Sequence, residues 1–358
     1  MMIGTEACLV GLGILWSLWM IVCRRRDSKP TIEECLAGHG TIQRGVPTHI
    51  HGTGETLYCD VIRLDPIHDQ DVQQRKVYFF IPGNPGMIDF YLTMMTSIFE
   101  REDRNVYVCA VGHVGHSPWS LGKVDRFVSF EEQIQHKVDF IRQNFPWLAT
   151  GQGSVHIIGH SVGANIGLNL IHRMPELNVQ QFFGICPAAI HIGESPGGKA
   201  YMNMFGSSFA RGLAFYTVAV LKVLLHMLPE TISLALVHFI MSLGDEVDKE
   251  FVPYAKNTID PHVVGNALHM AHEEMQTIGP EKHLHDTVLK DHMHKFHFIH
   301  APIDKWCDPP ILEKMKDVFH ASSFRIMSED LQHAFCLSHE GVSTVVEAIF
   351  SAESTTSK

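Results

Sequence analysis

The pentapeptide Gly159-His160-Ser161-Val162-Gly163 constrains the fold of this chain more than any other stretch. Before it, Val155 to Ile158 is rich in β-branched residues and reads as a buried strand. After it, Asn165 to His172 carries Ile166, Leu170 and Ile171 at helical spacing. The chain must therefore pass from strand to helix through a very tight turn with a serine at its apex. Glycines are needed at 159 and 163 because side chains there would collide with the neighbouring strand and helix. The strain of such a turn aims the serine hydroxyl out of the sheet and places the Val162 N–H at the helix start.

The rest of the chain repeats this alternation. The segment "THIHGTGETLYCDVIRLDPI" reads as a hairpin turning at Gly52-Thr53-Gly54. Apolar runs in "KVYFFIPGNPG", "NVYVCAVGHVGHSPW", "QQFFGICPA", "KFHFIHAPID" and "SFRIM" read as further strands. Between them, Phe130 to Phe145 has Phe130, Ile134, Val138 and Ile141 on one helical face. Strands alternating with helices predict an α/β class with a mostly parallel central sheet and helices on both faces. Residues 47–191 and 294–358 make up this core. Residues 192–293 interrupt the rhythm with two apolar stretches, "LAFYTVAVLKVLLHML" and "ETISLALVHFIMSL", and are expected to form a helical lid. In the first stretch Phe215, Val218, Leu221, Leu224 and Leu225 form a wide apolar face. That face suits packing over a pocket, and it also suits a helix dipping into a lipid interface.

The segment Ala7–Cys23 is uncharged and mostly apolar, with Arg24-Arg25-Arg26 directly after it. Charge after the apolar run, with no small-residue cleavage site, predicts a membrane anchor over residues 1–27 rather than a cleaved signal. The positive-inside rule then places the following chain, through a linker at 28–46, in the cytoplasm. The formal charge of -11 argues against a nucleic-acid partner, since phosphate binding needs a basic surface. The 8 cysteines contain no C-x-x-C pair and read as reduced, mostly buried thiols. A histidine cluster at His283, His285, His292, His294, His297 and His300 lacks zinc-ligand spacing and reads as surface and strand positions.

A serine hydroxyl needs a base to take its proton. In this kind of fold the acid and base follow the serine in the order Ser, acid, His. Asp304 comes just after the strand "FHFIHAPI" and is preferred to Asp308, which precedes Pro309-Pro310 at an expected helix start. His333, in "LQHAFC", follows the last strand and is preferred to His339 and His320, both expected in helices. The oxyanion donors are expected to be the Val162 N–H and, from the "PGNPG" loop, the Asn84 N–H. Such a site attacks an ester carbonyl through Ser161 and needs no cofactor or metal.

Several segments together resemble the lipid droplet-associated hydrolases: "FFIPGNPGMIDFY", "GHVGHS", "QIQHKVDFIRQNFP", "IIGHSVGANIGL", "RMPEL", "ESPGGK", "IDKWC" and "HAFC". The resemblance covers most of residues 77 to 340. It implies an α/β-hydrolase fold, residence on lipid droplets and endoplasmic reticulum, and weak esterase activity toward cholesteryl esters. It carries the triad to Ser161, Asp304 and His333. A lipid ester is then the expected substrate and a droplet or reticulum membrane the expected partner surface. The competing expectation is a droplet- or membrane-organising protein whose triad is catalytically feeble. An epoxide hydrolase or dehalogenase would need an aspartate at 161. Transfer of the acyl group to an alcohol instead of water stays open.

Overall fold

A computed structural model of the chain describes residues 40–120, 126–243, 247–279, 287–321, 323–328 and 331–356. Among these, eight strands form one sheet: β1 (Gly40–His49), β2 (Thr56–Leu64), β3 (Lys76–Ile81), β4 (Tyr107–Val111), β5 (Ser154–His160), β6 (Val179–Ile185), β7 (Phe296–His300) and β8 (Ser323–Ile326). The spatial order is β1-β2-β4-β3-β5-β6-β7-β8. β1 and β2 pair antiparallel, as do β2 and β4, and every other pairing is parallel. The expected hairpin is present, and its turn carries Gly52 and Gly54 at φ of 98° and 72°.

The first strand starts earlier than expected. Gly40–Val46 falls in the stretch expected as linker, yet it pairs with β2. A register shift between Gln43 and Val46, with Gly45 at φ 60°, bends this edge strand. A short polar alternation with a glycine in it resembles a linker, and only the neighbouring strand makes it part of a sheet. The expected anchor at 1–27 and the rest of the linker, along with Cys8, Cys23, Cys35, His283 and His285, lie outside the described residues.

The parallel strands are buried on both faces, as a sheet covered by helices requires. In β3, Val77, Phe79 and Ile81 join one apolar cluster, and Tyr78 and Phe80 join the other. The first cluster is closed by α2 (Phe130–Asn144), α3 (Val162–Arg173) and α10 (Pro309–Val318). The second is closed by α1 (Leu92–Arg101) and α11 (His339–Thr356). Each fully buried Phe or Ile adds about 1.5–3 kcal/mol relative to exposure. α2 shows why the helical periodicity was readable: Phe130, Ile134, Val138 and Ile141 are all buried, and Ser129 and Glu132 close a capping box at its start.

Between β6 and β7 the chain inserts α4 (Pro196–Phe205), α5 (Ser208–Met227), α6 (Glu230–Met241), α7 (Val252–Thr258), α8 (Pro261–Thr277) and α9 (Thr287–His292). α5 has one side packed against the insertion and one side exposed. Leu225 is buried, and Phe215 packs edge-on to His262 of α8 at 5.4 Å. The opposite side leaves Phe209, Tyr216 and Met227 at 70–80% exposure, and of the face drawn from the sequence, Leu224 also points outward. Lys222, also on α5, reaches the buried Asp260 at 2.5 Å.

Candidate active site

Parallel strands present their carboxyl ends on one edge, and the three loops leaving β5, β7 and β8 converge there. At the end of β5, Ser161 adopts φ 52°, ψ -122°, a conformation a non-glycine residue holds only under constraint. The constraint is visible in its neighbours. The Ser161 N–H donates to Ile185 C=O at 2.9 Å, and the Ser161 C=O accepts from Ala164 and Ala188 N–H groups at 3.0 Å each. A Cβ at Gly163 would lie 2.2 Å from Ile81 O, and one at Gly159 would lie 2.5 Å from the Ala164 backbone. The close approach of α3 to β3 and β5 is therefore possible only with glycine at both positions.

His333 connects the serine to a carboxylate. Its Nδ1 lies 2.8 Å from Asp304 Oδ2 and its Nε2 lies 3.2 Å from Ser161 Oγ. Ionised Asp304 can only accept, so the Nδ1 position carries the proton and Nε2 is free to accept from the serine. Asp304 is buried, which by itself pushes its carboxyl up. The His333 hydrogen bond and the Trp306 and Cys307 N–H groups more than offset that and hold it below its usual value of 3.8. It therefore stays charged through the physiological range. Asp308, the other candidate acid, heads α10. His339 begins α11, while His320 lies exposed just past α10 rather than within a helix. Helix periodicity fades at a terminus, which is why the sequence placed His320 inside.

The Pro82–Gly86 loop after β3 faces the elbow, because Ile81 is in register with Gly159. Within it, Gly83 N–H donates to Tyr91 Oη at 3.2 Å, while no protein acceptor takes the Asn84 or Val162 N–H among the described residues. The Asn84 side chain points to the lid, donating to Ala267 C=O at 2.9 Å and to Glu274 Oε1 at 3.0 Å, both on α8. Glu274 and Tyr91 were not singled out from sequence: Glu274 lies 190 residues from Asn84, and Tyr91, although it ends the quoted "FFIPGNPGMIDFY" segment, lies 69 residues from His160. His160 was visible only as the variable position beside Ser161. Its Nδ1 lies 2.7 Å from Tyr91 Oη, and its Nε2 lies 2.9 Å from the His333 carbonyl. Burial holds His160 down to about 3, so the ring is neutral. Cys186, at φ 44°, places its thiol beside Asp304 and His333, and the nearby carboxylate adds to burial in raising it well above its ordinary value. With its thiol protonated and both neighbours held by the Ser161–His333–Asp304 contacts, it is a poor metal ligand as it stands.

The arrangement can deprotonate Ser161, hold the resulting imidazolium against Asp304, and offer free N–H groups to an oxyanion. Solved structures share the architecture. Potato epoxide hydrolase I matches with a TM-score of 0.59 at 14% identity, covering 88% of this chain and 99% of that one. A peroxisomal alpha-beta-hydrolase from Saccharomyces cerevisiae matches with a TM-score of 0.53 at 10% identity, covering 89% of each chain. At these identities the likeness shows the fold, which is the α/β-hydrolase fold. In sequence, a human protein described as lipid droplet-associated hydrolase is 28% identical over 285 residues, covering 76% of this chain and 83% of its own length. The family model described as lipid-droplet associated hydrolase matches residues 74–336, from two residues before β3 through the His333 loop, and with that match the chain belongs to the lipid-droplet associated hydrolase family.

Proposed function

We propose that this protein is a serine ester hydrolase acting on a lipid ester at a droplet or reticulum surface. The contact that carries the reading is Asp304–His333–Ser161, spaced 2.8 and 3.2 Å, with the serine on a strained elbow. In this mechanism His333 Nε2 takes the Ser161 proton as Oγ attacks the ester carbonyl. Asp304 holds the Nδ1–H tautomer and stabilises the imidazolium. The N–H groups of Val162 and Asn84 receive the developing oxyanion. His333 then returns the proton to the leaving alcohol, and water, activated by the same imidazole, releases the acyl group from Ser161.

Two supports point to an apolar substrate delivered from a surface. The names of the relatives associate them with lipid droplets. The insertion also presents Phe209, Tyr216 and Met227 from α5, with Phe239 and Ile240 from α6, to solvent. An apolar face of this extent on a lid is suited to a lipid boundary, with the 1–27 segment as an anchor and the hydrolase domain on the cytoplasmic side. Sterol esters are the substrate class we favour.

The test is a fluorophosphonate probe combined with an ester panel from short nitrophenyl esters to cholesteryl oleate, using the full chain and Ser161→Ala. The expected result is labelling and turnover that both vanish in Ser161→Ala. Full activity in that variant would refute the mechanism. Labelling of Ser161 with no turnover of any ester would favour a membrane-organising role instead.

A further inference from the structure

The three loops that build the site are joined by a second chain of hydrogen bonds that takes no part in the proton transfer. It starts at Gly83 in the oxyanion loop, whose N–H donates to Tyr91 Oη at 3.2 Å. Tyr91, at the end of the short helix Ile88–Tyr91, lies 2.7 Å from His160 Nδ1. His160 Nε2 lies 2.9 Å from the backbone carbonyl of His333. Only one set of directions satisfies every atom. A carbonyl cannot donate, so His160 Nε2 carries the proton and Nδ1 must accept. Tyr91 therefore donates its own O–H to Nδ1, leaving its oxygen to accept from Gly83. The Cys336 thiol also lies against the Tyr91 hydroxyl.

The first two links of this chain are shielded from solvent. Tyr91 and His160 are buried, and Phe335 packs edge-on against both rings, at 6.3 and 5.0 Å. The fit around Gly83 is close: a Cβ there would lie 2.9 Å from His160 Nδ1 and 3.1 Å from Ser161 Cβ. The Gly83–Tyr91 and Tyr91–His160 links are buried polar pairs and the His160–His333 link is partly buried, and breaking one of the buried links leaves a partner without a hydrogen bond. The loops carrying Asn84, Ser161 and His333 therefore cannot shift independently.

We propose that Tyr91 and His160 are positioning residues that lock the oxyanion loop to the backbone of His333, so that acceptor, nucleophile and base keep one mutual geometry. The proposal rests on the triad reading above. It assigns the variable position of the Gly-x-Ser-x-Gly turn a task that the serine motif does not itself require. Neutral His160 contributes no charge to the reaction. Its work is to hold His333 from behind, by the main chain, while Asp304 orients the ring from the side.

The experiment is steady-state hydrolysis of a short nitrophenyl ester, with fluorophosphonate labelling, by the full chain and its Tyr91→Phe, His160→Leu and His160→Gln variants. Ser161→Ala serves as control. Displacement of a catalytic group by about 1 Å costs on the order of 100-fold in rate, so His160→Leu is expected to lower kcat roughly 10- to 100-fold with KM within about twofold. The Gln side-chain amide can reach the His333 carbonyl, so His160→Gln should recover much of that loss. Tyr91→Phe should lower kcat by a smaller factor, and combining it with His160→Leu should add nothing further. Unchanged kcat in His160→Leu, or equal loss in the Leu and Gln variants, overturns the proposal. If His160→Leu does not fold, Tyr91→Phe decides, and its unchanged kcat overturns the proposal as well. An active Ser161→Ala overturns the triad reading itself. An inactive Ser161→Ala beside fully active His160→Leu and Tyr91→Phe overturns only the lock.

Discussion

Glu274 puts a carboxyl where ionisation is expensive, on the lid helix α8 with 3% of its surface exposed. Burial pushes it from 4.5 up to about 7, and the hydrogen bond from Asn84 Nδ2 at 3.0 Å offsets that only in part. Between those two values the folded chain keeps a proton that the unfolded chain has released. Stability from this group is therefore full below about pH 4.5 and is lost as pH rises through 7. A shift from 4.5 to about 7 corresponds to roughly 3 kcal/mol over the whole window. Glu274→Gln cannot ionise and keeps the shape. Its extra N–H group can cost about 1–2 kcal/mol if unpaired, but that cost is the same at every pH. Urea unfolding of the full chain in detergent, followed by tryptophan fluorescence at pH 5, 6, 7 and 8, gives the difference between wild type and variant. The variant should gain roughly 2–3 kcal/mol on wild type between pH 5 and 8. Parallel stability curves across that range would show that the carboxyl is not held in its neutral form, and the reasoning would fail.

The buried histidines should act in the opposite sense. Burial lowers His116, His297 and His300 to about 4 and His160 to about 3, so they stabilise the fold above pH 6.5 and lose that contribution as pH falls through 4. Acid titration by circular dichroism should show a cooperative loss of structure well above the usual carboxylate range, and intact structure at pH 4 would contradict it. Gly163→Ala should abolish fluorophosphonate labelling, because its Cβ would sit 2.2 Å from Ile81 O and 2.6 Å from Pro82 O. Normal labelling would mean that α3 can move away from β3. Replacing Phe209 and Tyr216 by Ser should reduce hydrolysis of an emulsified ester several-fold and leave a soluble short ester untouched, as expected for loss of two exposed apolar side chains from a lipid contact. Equal loss on both substrates would place the effect in the site rather than at the surface.

Local order carries a good deal of this protein. The continuous apolar run of Val77–Ile81, the apolar face of Phe130–Ile141 and the glycine-flanked turn at Ser161 each arise from neighbours within a few residues, so the parallel sheet and the place of Ser161 at a strand end can be read along the chain. Asp304 and His333 were legible for a related reason. Chain order restricts them to loops following particular strands, even though the 2.8 and 3.2 Å spacings need coordinates. Folding alone decided that Gly40–Val46 is a strand, since its partner is β2 and its own pattern is nearly that of a linker. It also decided that Asn84 meets Glu274, that Tyr91 meets His160, and that His160 meets the carbonyl of His333. Those contacts join residues 69 to 190 positions apart, and no periodicity or spacing rule reaches across such distances. Local sterics write themselves into adjacent residues, whereas a buried hydrogen bond between loops exists only once the sheet has set the loops side by side.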